Sequence, residues 1–231
     1  MARQLQGRRC AAAWASMIAL VTGATGCVGY ALCEMLLAHE SFGEVRVLVR
    51  GDLADVPTGC RVFVGTLDDA DTLAAACRGA DVVFHAAAQV HSPTAPASDF
   101  ERVNVAGTSN LLHAATLGGI SRIVYFSTVA VYGEATPPEG ITEDAPPAPV
   151  TPYAETKLRG EALVTDWARS TRSVGVVLRL ATVYGARDRG NMARMADAVR
   201  CGRFVLPGSG ANRKTIVAVE TVAQIAVNAA F

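Results

Sequence analysis

Short apolar runs alternate with stretches of helical length along most of the chain. Six runs are predicted as strands: Met17–Thr22, Glu44–Arg50, Arg61–Gly65, Ala80–His85, Ser121–Ser127 and Val174–Leu180. Helices are predicted between them at Cys27–His39, Asp69–Cys77, Phe100–Leu117 and Tyr153–Ser170. Apolar strands separated by helices are typical of a parallel sheet that is covered on both faces. With right-handed crossovers, the pattern predicts a doubly wound parallel α/β fold.

The first predicted turn contains Gly23, Gly26 and Gly29 at steps of three, between a strand and a helix. Glycine allows a tight turn and a close approach of the backbone to a ligand, and the free N–H groups of a helix N-terminus bind anions. In this strand–turn–helix context, the spacing predicts a site for the pyrophosphate of a dinucleotide. A tight turn without a ligand is the alternative.

Tyr153 and Lys157 are four residues apart at the start of a predicted helix, so their side chains lie on one face. The chain has only one other lysine, Lys214. A nearby cation stabilises tyrosinate, and a lowered pKa makes tyrosine a usable acid or base near neutral pH. The pair therefore predicts proton chemistry, with an ordinary surface pair as the alternative.

Ser127 and Thr128 stand at the end of the fifth predicted strand. The carboxyl ends of parallel strands face the ligand crevice in this class of fold. A hydroxyl there can bond the substrate oxygen whose proton Tyr153 handles, and Thr128 is the candidate for that contact. A hydroxyl that only caps a turn is the alternative.

Composition excludes several classes of protein. The 231 residues are 51% hydrophobic with a formal net charge of zero, which is the reverse of a disordered chain and leaves no electrostatic footprint for nucleic acid. The six cysteines have neither metal-ligand spacing nor the density of a secreted disulfide scaffold, so reduced thiols in a cytoplasmic protein are predicted. The four histidines show no ligand spacing, and no metal site is predicted.

The stretch from Cys10 to Cys33 carries no charge, which raises the question of a signal peptide or membrane anchor. The three glycines interrupt it, so no membrane association is expected. Residues 1–16 have no counterpart in the pattern that follows. We expect them to be a non-native or disordered leader, with the natural start at Met17.

Several motifs occur in a fixed order: the glycine motif, His85-Ala-Ala-Ala88, Asn104 to Thr108, Ser127-Thr128 to Tyr132-Gly133, Tyr153 to Lys157, and Leu178 to Gly185. Together they resemble the extended short-chain dehydrogenase/reductase family, which includes the NAD-dependent epimerases and dehydratases of nucleotide sugars. The resemblance implies a Rossmann domain over residues 17–185. It also implies a partial substrate-binding lobe over residues 186–231, from which a strand and a helix return to the Rossmann domain. Relatives usually continue past the point that corresponds to Phe231, so a C-terminally truncated chain is expected.

The resemblance also implies a bound nicotinamide cofactor, NAD or NADP. Tyr153 is then the acid/base, Lys157 holds the ribose and lowers the tyrosine pKa, and Thr128 is in the family's Ser/Thr position. Further cofactor contacts are implied at Gly23, Thr25, Gly26, Cys27, Val28, Gly29, Leu67, Ala86, Ala87 and Ala88. Substrate contacts are implied at Thr128, Thr182, Asn191 and Arg213.

Two positions bear on the choice of cofactor and reaction. Arg50 ends the second predicted strand, where an acidic residue would bond the ribose of NAD and an arginine would pair with the 2′-phosphate of NADP. Arg50 favours NADP, whereas the other motifs, which resemble those of epimerases, favour NAD. Both cofactors therefore remain possible predictions. Val129 and Ala130 follow Thr128, where the family's sugar 4,6-dehydratases carry Asp-Glu. Dehydration is therefore disfavoured.

The sequence thus predicts an NAD(P)-dependent enzyme that removes and returns a hydride on a nucleotide sugar, as an epimerase does. A ketone or aldehyde reductase, or a hydroxysteroid-type dehydrogenase, is the alternative within the family. A non-catalytic NAD(P)-binding protein on the same fold is the alternative outside enzymes. A small-molecule substrate is the expected partner, and a homodimer through helices 100–117 and 153–170 is implied by the resemblance.

Overall fold

The structure is a computed structural model and describes residues 16–51, 55–90, 96–134, 140–206, 208–211 and 213–231. The expected leader lies outside these ranges, apart from Ser16. The strands are β1 (Met17–Thr22), β2 (Phe42–Val49), β3 (Arg61–Val64), β4 (Val82–His85), β5 (Arg122–Thr128), β6 (Val174–Leu180), β7 (Thr182–Tyr184) and β8 (Ile216–Ala218). The helices are α1 (Cys27–Ala38), α2 (Ala70–Cys77), α3 (Ala97–Phe100), α4 (Gly107–Gly118), α5 (Pro152–Thr171), α6 (Asn191–Arg200) and α7 (Val219–Asn228).

Six strands form one parallel sheet in the order β3-β2-β1-β4-β5-β6. The order reverses between β1 and β4, and a ligand crevice is expected at the carboxyl ends of strands that flank such a reversal. This arrangement confirms the predicted doubly wound parallel sheet. β1 and β4 lie in the middle of it, and all side chains of β4 are buried. Burial on both faces explains why these strands have continuous apolar sequences.

Helices cover both faces of the sheet. α1 and α7 pack on one face, with Leu36 and Val222 in the core, and α2, α4 and α5 pack on the other, with Leu73 and Leu111. Each of these four side chains is at most 1% exposed, and burying a leucine contributes roughly 1.5–3 kcal/mol. The two layers therefore hold the start of α1 and the start of α5 at the same edge of the sheet.

A π-helical segment, Glu101–Ala106, joins α3 to α4 without a break. Asn104 lies in this segment and is buried. Its side chain accepts from the backbone N–H of Gln89 at 2.7 Å and donates to the Gln89 carbonyl at 3.1 Å and to Thr156 Oγ1 at 3.0 Å. A helix was predicted here but the wider turn was not, because it depends on these contacts with distant parts of the chain. The segment ties the loop after β4 to α5.

β7 and β8 pair in parallel as a separate two-stranded sheet. α6 lies between them in sequence and has no buried residue. α7 returns to the main body, where it packs against α1 with Ala223, Ala226 and Val227 buried. Among the described residues, none of the helices combines the length and the apolar character needed to cross a bilayer.

Candidate functional site

The glycine turn leads from β1 into α1 and requires glycine at two positions. Gly23 has φ of +76°, and a Cβ there would lie 2.6 Å from the backbone nitrogen of Ala87. A Cβ on Gly29 would overlap the carbonyl oxygen of Gly23. Within the described residues, Gly26 caps α1 without a side-chain hydrogen bond, and the first turn of the helix has no acidic side chain. The turn therefore presents free N–H groups and a positive helix end, which fit a pyrophosphate.

The other wall of the crevice follows β4. The backbone N–H of Ala86 donates to the carbonyl of Thr22 at 3.1 Å, and that of Ala87 donates to Thr22 Oγ1 at 3.2 Å. These bonds hold the two turns side by side where the strand order reverses. Ala86, Ala87 and Ala88 are half-buried, as are Cys27 and Val28 across the crevice, and Thr25 is exposed. Small side chains on one wall and glycines on the other leave room for a ligand close to the backbone.

Arg50 and Leu67 lie at the carboxyl ends of the two outer strands on this side. Arg50 follows β2 and is exposed. Leu67 follows β3 and is buried, and it packs against Gly107 at the start of α4, where a Cβ would lie 2.8 Å from its side chain. Its carbonyl accepts from Asn110 Nδ2 at 2.9 Å. Arg50 is thus accessible to a ligand, whereas the Leu67 side chain is engaged in packing.

Thr128 and Tyr153 are placed by the end of β5 and the start of α5. Thr128 is half-buried, and its Oγ1 accepts from the backbone N–H of Ala130 at 3.2 Å, so it also caps the short 3-10 helix Val129–Tyr132. α5 begins with Pro152 after the N-cap Thr151, whose Oγ1 accepts from the backbone N–H of Ala154 at 3.2 Å. α5 packs against both β5 and the 3-10 helix. Thr128 and the first turn of α5 therefore lie at the same edge of the sheet.

Lys157 is only 2% exposed, and its Nζ lies 4.0 Å from the centroid of the Tyr125 ring. Burial lowers the pKa of Lys157 to about 7, against the opposing effect of the Glu161 carboxylate. Burial also raises the pKa of Tyr153. The resemblance implied a lowered tyrosine pKa, and the direction in this structure is the opposite, because desolvation of the phenol dominates and Lys157 faces Tyr125. Tyr153 therefore holds its proton at neutral pH.

His85 forms a buried hydrogen-bonded chain that the sequence did not predict. Its Nδ1 lies 2.7 Å from Thr22 Oγ1, and its Nε2 lies 2.9 Å from Thr108 Oγ1. The Thr108 hydroxyl donates to the Asn104 carbonyl at 2.7 Å, so it accepts from Nε2–H. Burial, with a smaller contribution from Lys157, lowers the pKa of His85 to about 3. The histidine is neutral and connects β4 to the glycine turn and to α4.

A second unpredicted group surrounds Glu161, which is buried one helical turn after Lys157. The hydroxyl of Ser127 and the guanidinium of Arg179 both donate to its carboxylate. Arg179 Nη1 also donates to the hydroxyl of Tyr132 at 2.6 Å. The spacing Tyr153, Lys157, Glu161 repeats every four residues and could have indicated that Glu161 lies on the same face.

The loop after β7 crosses the start of α1. Arg187 has φ of +64°, pairs with Asp55 at 2.6 Å and lies 4.2 Å from the centroid of the Tyr30 ring. The thiol of Cys27 donates to the carbonyl of Ala186 at 3.3 Å. These contacts join positions as far apart as 55 and 187, so no local pattern could have indicated them. They bring a cation beside the glycine turn.

The three remaining expected substrate contacts lie around β7, β8 and α6. Thr182 starts β7, is half-buried and pairs with Ile216 of β8. Arg213 is exposed and lies three residues before Ile216 in the chain. Asn191 starts α6, is exposed and accepts from Arg194 Nη2 at 2.5 Å. Thr182 is thus in the small sheet and Arg213 in the segment that leads into its second strand, while Asn191 lies on the helix between the two strands.

The sequence profile of the NAD-dependent epimerase/dehydratase family matches residues 19–230. The chain belongs to this family. Its members are enzymes, and the resemblance stated from the motifs is confirmed. The structure also resembles that of UDP-glucose 4-epimerase from Thermus thermophilus in complex with NAD, with a TM-score of 0.81 and 32% identity, over 93% of this chain and 75% of that one.

Curated relatives carry out more than one reaction. The chain is 36% identical over 193 residues to 4-hydroxy-2-methyl-3-oxo-4-farnesyl-3,4-dihydroquinoline-1-oxide ketoreductase of Stigmatella aurantiaca, covering 81% of this chain and 57% of that one. It is 29% identical over 210 residues to N-acetyl-alpha-D-glucosaminyl-diphospho-ditrans,octacis-undecaprenol 4-epimerase of Escherichia coli O157:H7, covering 89% and 60%. The chain therefore spans less than two thirds of the length of these relatives.

Proposed function

We propose that the protein binds NAD or NADP between the glycine turn and Ala86–Ala88 and exchanges a hydride with an oxygen-bearing carbon of a nucleotide sugar, as an epimerase does. One observation carries the proposal: the Thr128 hydroxyl and the Tyr153–Lys157 face of α5 lie at the edge of the sheet where the glycine turn offers a pyrophosphate site. This arrangement occurs in a family that is NAD-dependent.

Each residue then has a task. The free N–H groups of the glycine turn bind the pyrophosphate, Arg50 lies where it would meet a 2′-phosphate, and Lys157 binds the ribose. Leu67, which follows β3, contributes a packing contact. The bound cofactor supplies the hydride acceptor and donor. Thr128 orients the substrate oxygen through its hydroxyl.

Tyr153 carries the hydroxyl proton. Because burial raises its pKa, the phenol is ready to donate a proton to a keto oxygen. To remove a proton from a sugar hydroxyl, its pKa has to fall in the working complex. Lys157, four residues along the same helix, is the cation that lowers it.

A reductase is the second candidate function, and the 36% identity to a ketoreductase favours it. Both reactions use the same proton carrier and the same cofactor crevice. They differ in the fate of the cofactor, because an epimerase restores it in each turnover and a reductase consumes it. Dehydration is disfavoured, because Val129 and Ala130 provide no acid or base after Thr128.

The proposal extends to the rest of the chain. Residues 17–185 are the cofactor domain and residues 186–231 begin the substrate lobe, with Thr182, Asn191 and Arg213 directed to sugar or diphosphate. We further propose a homodimer through α4 and α5, which pack against each other and leave Leu117 72% exposed. The five cysteines of the described residues are free thiols, which supports a cytoplasmic location.

The test is incubation with a panel of UDP-, GDP- and dTDP-sugars and of ketones, together with NAD, NADH, NADP or NADPH. Epimers form without a net change of absorbance at 340 nm if the protein is an epimerase, and absorbance falls in step with product if it is a reductase. Tyr153→Phe should abolish either reaction, whereas Tyr184→Phe, which changes an exposed tyrosine, should not. Cofactor binding with no turnover of any sugar or ketone would favour a non-catalytic binding protein.

A further inference from the structure

Tyr125 is a buried aromatic residue of β5 for which the proposed mechanism has no task. Its side chain is 0% exposed. Tyr125 is paired with His85 of β4 in the sheet, and the centroids of the two rings are 5.5 Å apart. The neighbouring strand therefore packs against the ring and restricts its position.

The side of α5 that faces β5 is shaped around this phenol. The Tyr125 hydroxyl donates to the backbone carbonyl of Lys157 at 3.4 Å. A Cβ on Gly160 would overlap the Tyr125 hydroxyl and would lie 2.7 Å from Cζ of the ring, so glycine is the residue that leaves room for the ring. Tyr125 is thus held against the stretch of helix that carries Lys157.

The same ring lies next to the Lys157 ammonium. Nζ is 4.0 Å from the ring centroid, and Lys157 is 2% exposed. Among the described residues, no ion pair or hydrogen bond involves this Nζ, and the Glu161 carboxylate one helical turn further on is paired with Arg179 at 2.7 Å. A buried ammonium without a partner is costly. The negative face of an aromatic ring attracts a cation within about 6 Å of its centroid, and it does so most strongly where water is excluded.

We propose that Tyr125 is a positioning residue, whose ring face holds the Lys157 ammonium on the side of α5 that carries Tyr153. The inference rests on the proposed function, because only there does the ammonium have a task. An aliphatic side chain would also fill space between β5 and α5, but it would offer no negative face to the cation. Tyr125 therefore acts through Lys157.

The composition of the chain makes a direct test of this contact feasible. Lys157 and Lys214 are its only lysines, so NMR of the full-length protein with 13C-labelled lysine shows two sets of lysine signals. Protons above the face of an aromatic ring are shifted upfield. The Hε protons of Lys157 should therefore lie upfield of those of Lys214, which is exposed and serves as the internal control. Coincident Hε signals of the two lysines would overturn the proposal.

A series of variants at position 125 separates the charge of the ring face from the shape of the ring. Tyr125→Phe is the reference, and in three further variants the introduced phenylalanine carries one, two or three fluorine atoms. Fluorine withdraws electron density from the face and changes the size of the ring little. The titratable groups around the ammonium are Tyr153 and Glu161 on α5 and His85 on β4, and they are the same throughout. The measured quantity is the pKa of Lys157, from an NMR titration.

We expect the pKa of Lys157 to fall with each added fluorine, by roughly one pH unit in total. If Tyr125 only fills space, the pKa is the same in all four variants, and that result would overturn the proposal. Circular dichroism establishes that each variant is folded. If the fluorinated variants do not fold, Tyr125→Phe and Tyr125→Leu carry the test. An upfield Hε shift that is kept in Tyr125→Phe and lost in Tyr125→Leu supports the proposal, and an equal shift in both overturns it.

Titration of the same variants with NADH keeps a failure of the proposed function separate. The pKa of Lys157 is about 7, so a fall of one pH unit reduces the protonated fraction at pH 7 about fivefold. If the ammonium binds the ribose, NADH affinity falls by about the same factor. A graded pKa with constant NADH affinity would leave the contact with Tyr125 supported and would refute the ribose contact of Lys157.

Discussion

Gly23→Ala and Gly119→Ala form a matched pair that separates backbone strain from close approach in the glycine turn. Gly23 and Gly119 have φ of +76° and +75°. A Cβ on Gly23 would lie 2.6 Å from the nitrogen of Ala87 and 2.7 Å from the carbonyl carbon of Ala86, whereas a Cβ on Gly119 meets nothing within 4 Å. The left-handed backbone costs about 1–2 kcal/mol in each variant. Forced overlap adds about 1–3 kcal/mol to Gly23→Ala alone.

We therefore expect the free energy of unfolding to fall by about 1–2 kcal/mol in Gly119→Ala and about 2–5 kcal/mol in Gly23→Ala. For a chain of this size, each kcal/mol lowers Tm by roughly 2–4 °C. Thermal unfolding followed by circular dichroism measures the difference. Fluorescence titration with NADH should show binding lost in Gly23→Ala and retained in Gly119→Ala, because only Gly23 stands between the crevice walls. Equal destabilisation of the two variants, or wild-type NADH binding by Gly23→Ala, would refute the reasoning.

Two further predictions concern cofactor choice and pH. Arg50→Ala should weaken NADPH binding about tenfold or more, because one charge-assisted phosphate contact is lost, and should leave NADH binding unchanged. Arg169→Ala, which changes an exposed residue of α5, is the control. Equal weakening of NADPH and NADH binding would exclude the phosphate contact. The pKa of His85 is about 3 in the folded protein and about 6.5 in the unfolded chain. The neutral His85 therefore stabilises the folded state fully above pH 6.5, and the free energy of unfolding falls as the pH falls, by about 2 kcal/mol at pH 5. Urea unfolding at pH 5 and 7 should show a smaller difference in His85→Gln than in the wild type, and an unchanged difference would contradict this assignment.

The fold was predictable because its determinants are local. Each strand of the main sheet is a short apolar run. The start of α5 is indicated by Thr151-Pro152 and by the helical spacing of the apolar residues that follow. The glycine turn was predictable from the spacing of its glycines between a strand and a helix, although the close contact that requires Gly23 is with Ala86 and Ala87, which follow β4. β7 was missed, because three residues paired with a strand more than thirty positions later leave no periodic signal.

The pKa values of the site residues were less predictable from the sequence than the identity of those residues. The sequence places Tyr153 and Lys157 on one face, but burial shifts the pKa of both, and Glu161 opposes that shift at Lys157 alone. This burial exists only once β5 and α5 have packed. For this reason burial raises the pKa of Tyr153 in this structure, whereas the resemblance implied a lowered one. The same holds for His85, whose two threonine partners are 63 residues before it and 23 after it.

The π-helical segment between α3 and α4 fixes the number of residues that this part of the chain can contain. A regular α-helix turns by about 100° per residue, so the loss of one residue between Asn104 and Gly107 would rotate everything before it by about that angle relative to α4. Asn104 would then face away from Gln89 and Thr156, even with every side chain retained. Substitutions on the exposed face of this helix leave these contacts in place, whereas the insertion or deletion of one residue does not. Insertions and deletions should therefore be rarer across residues 101–118 than sequence divergence alone would suggest.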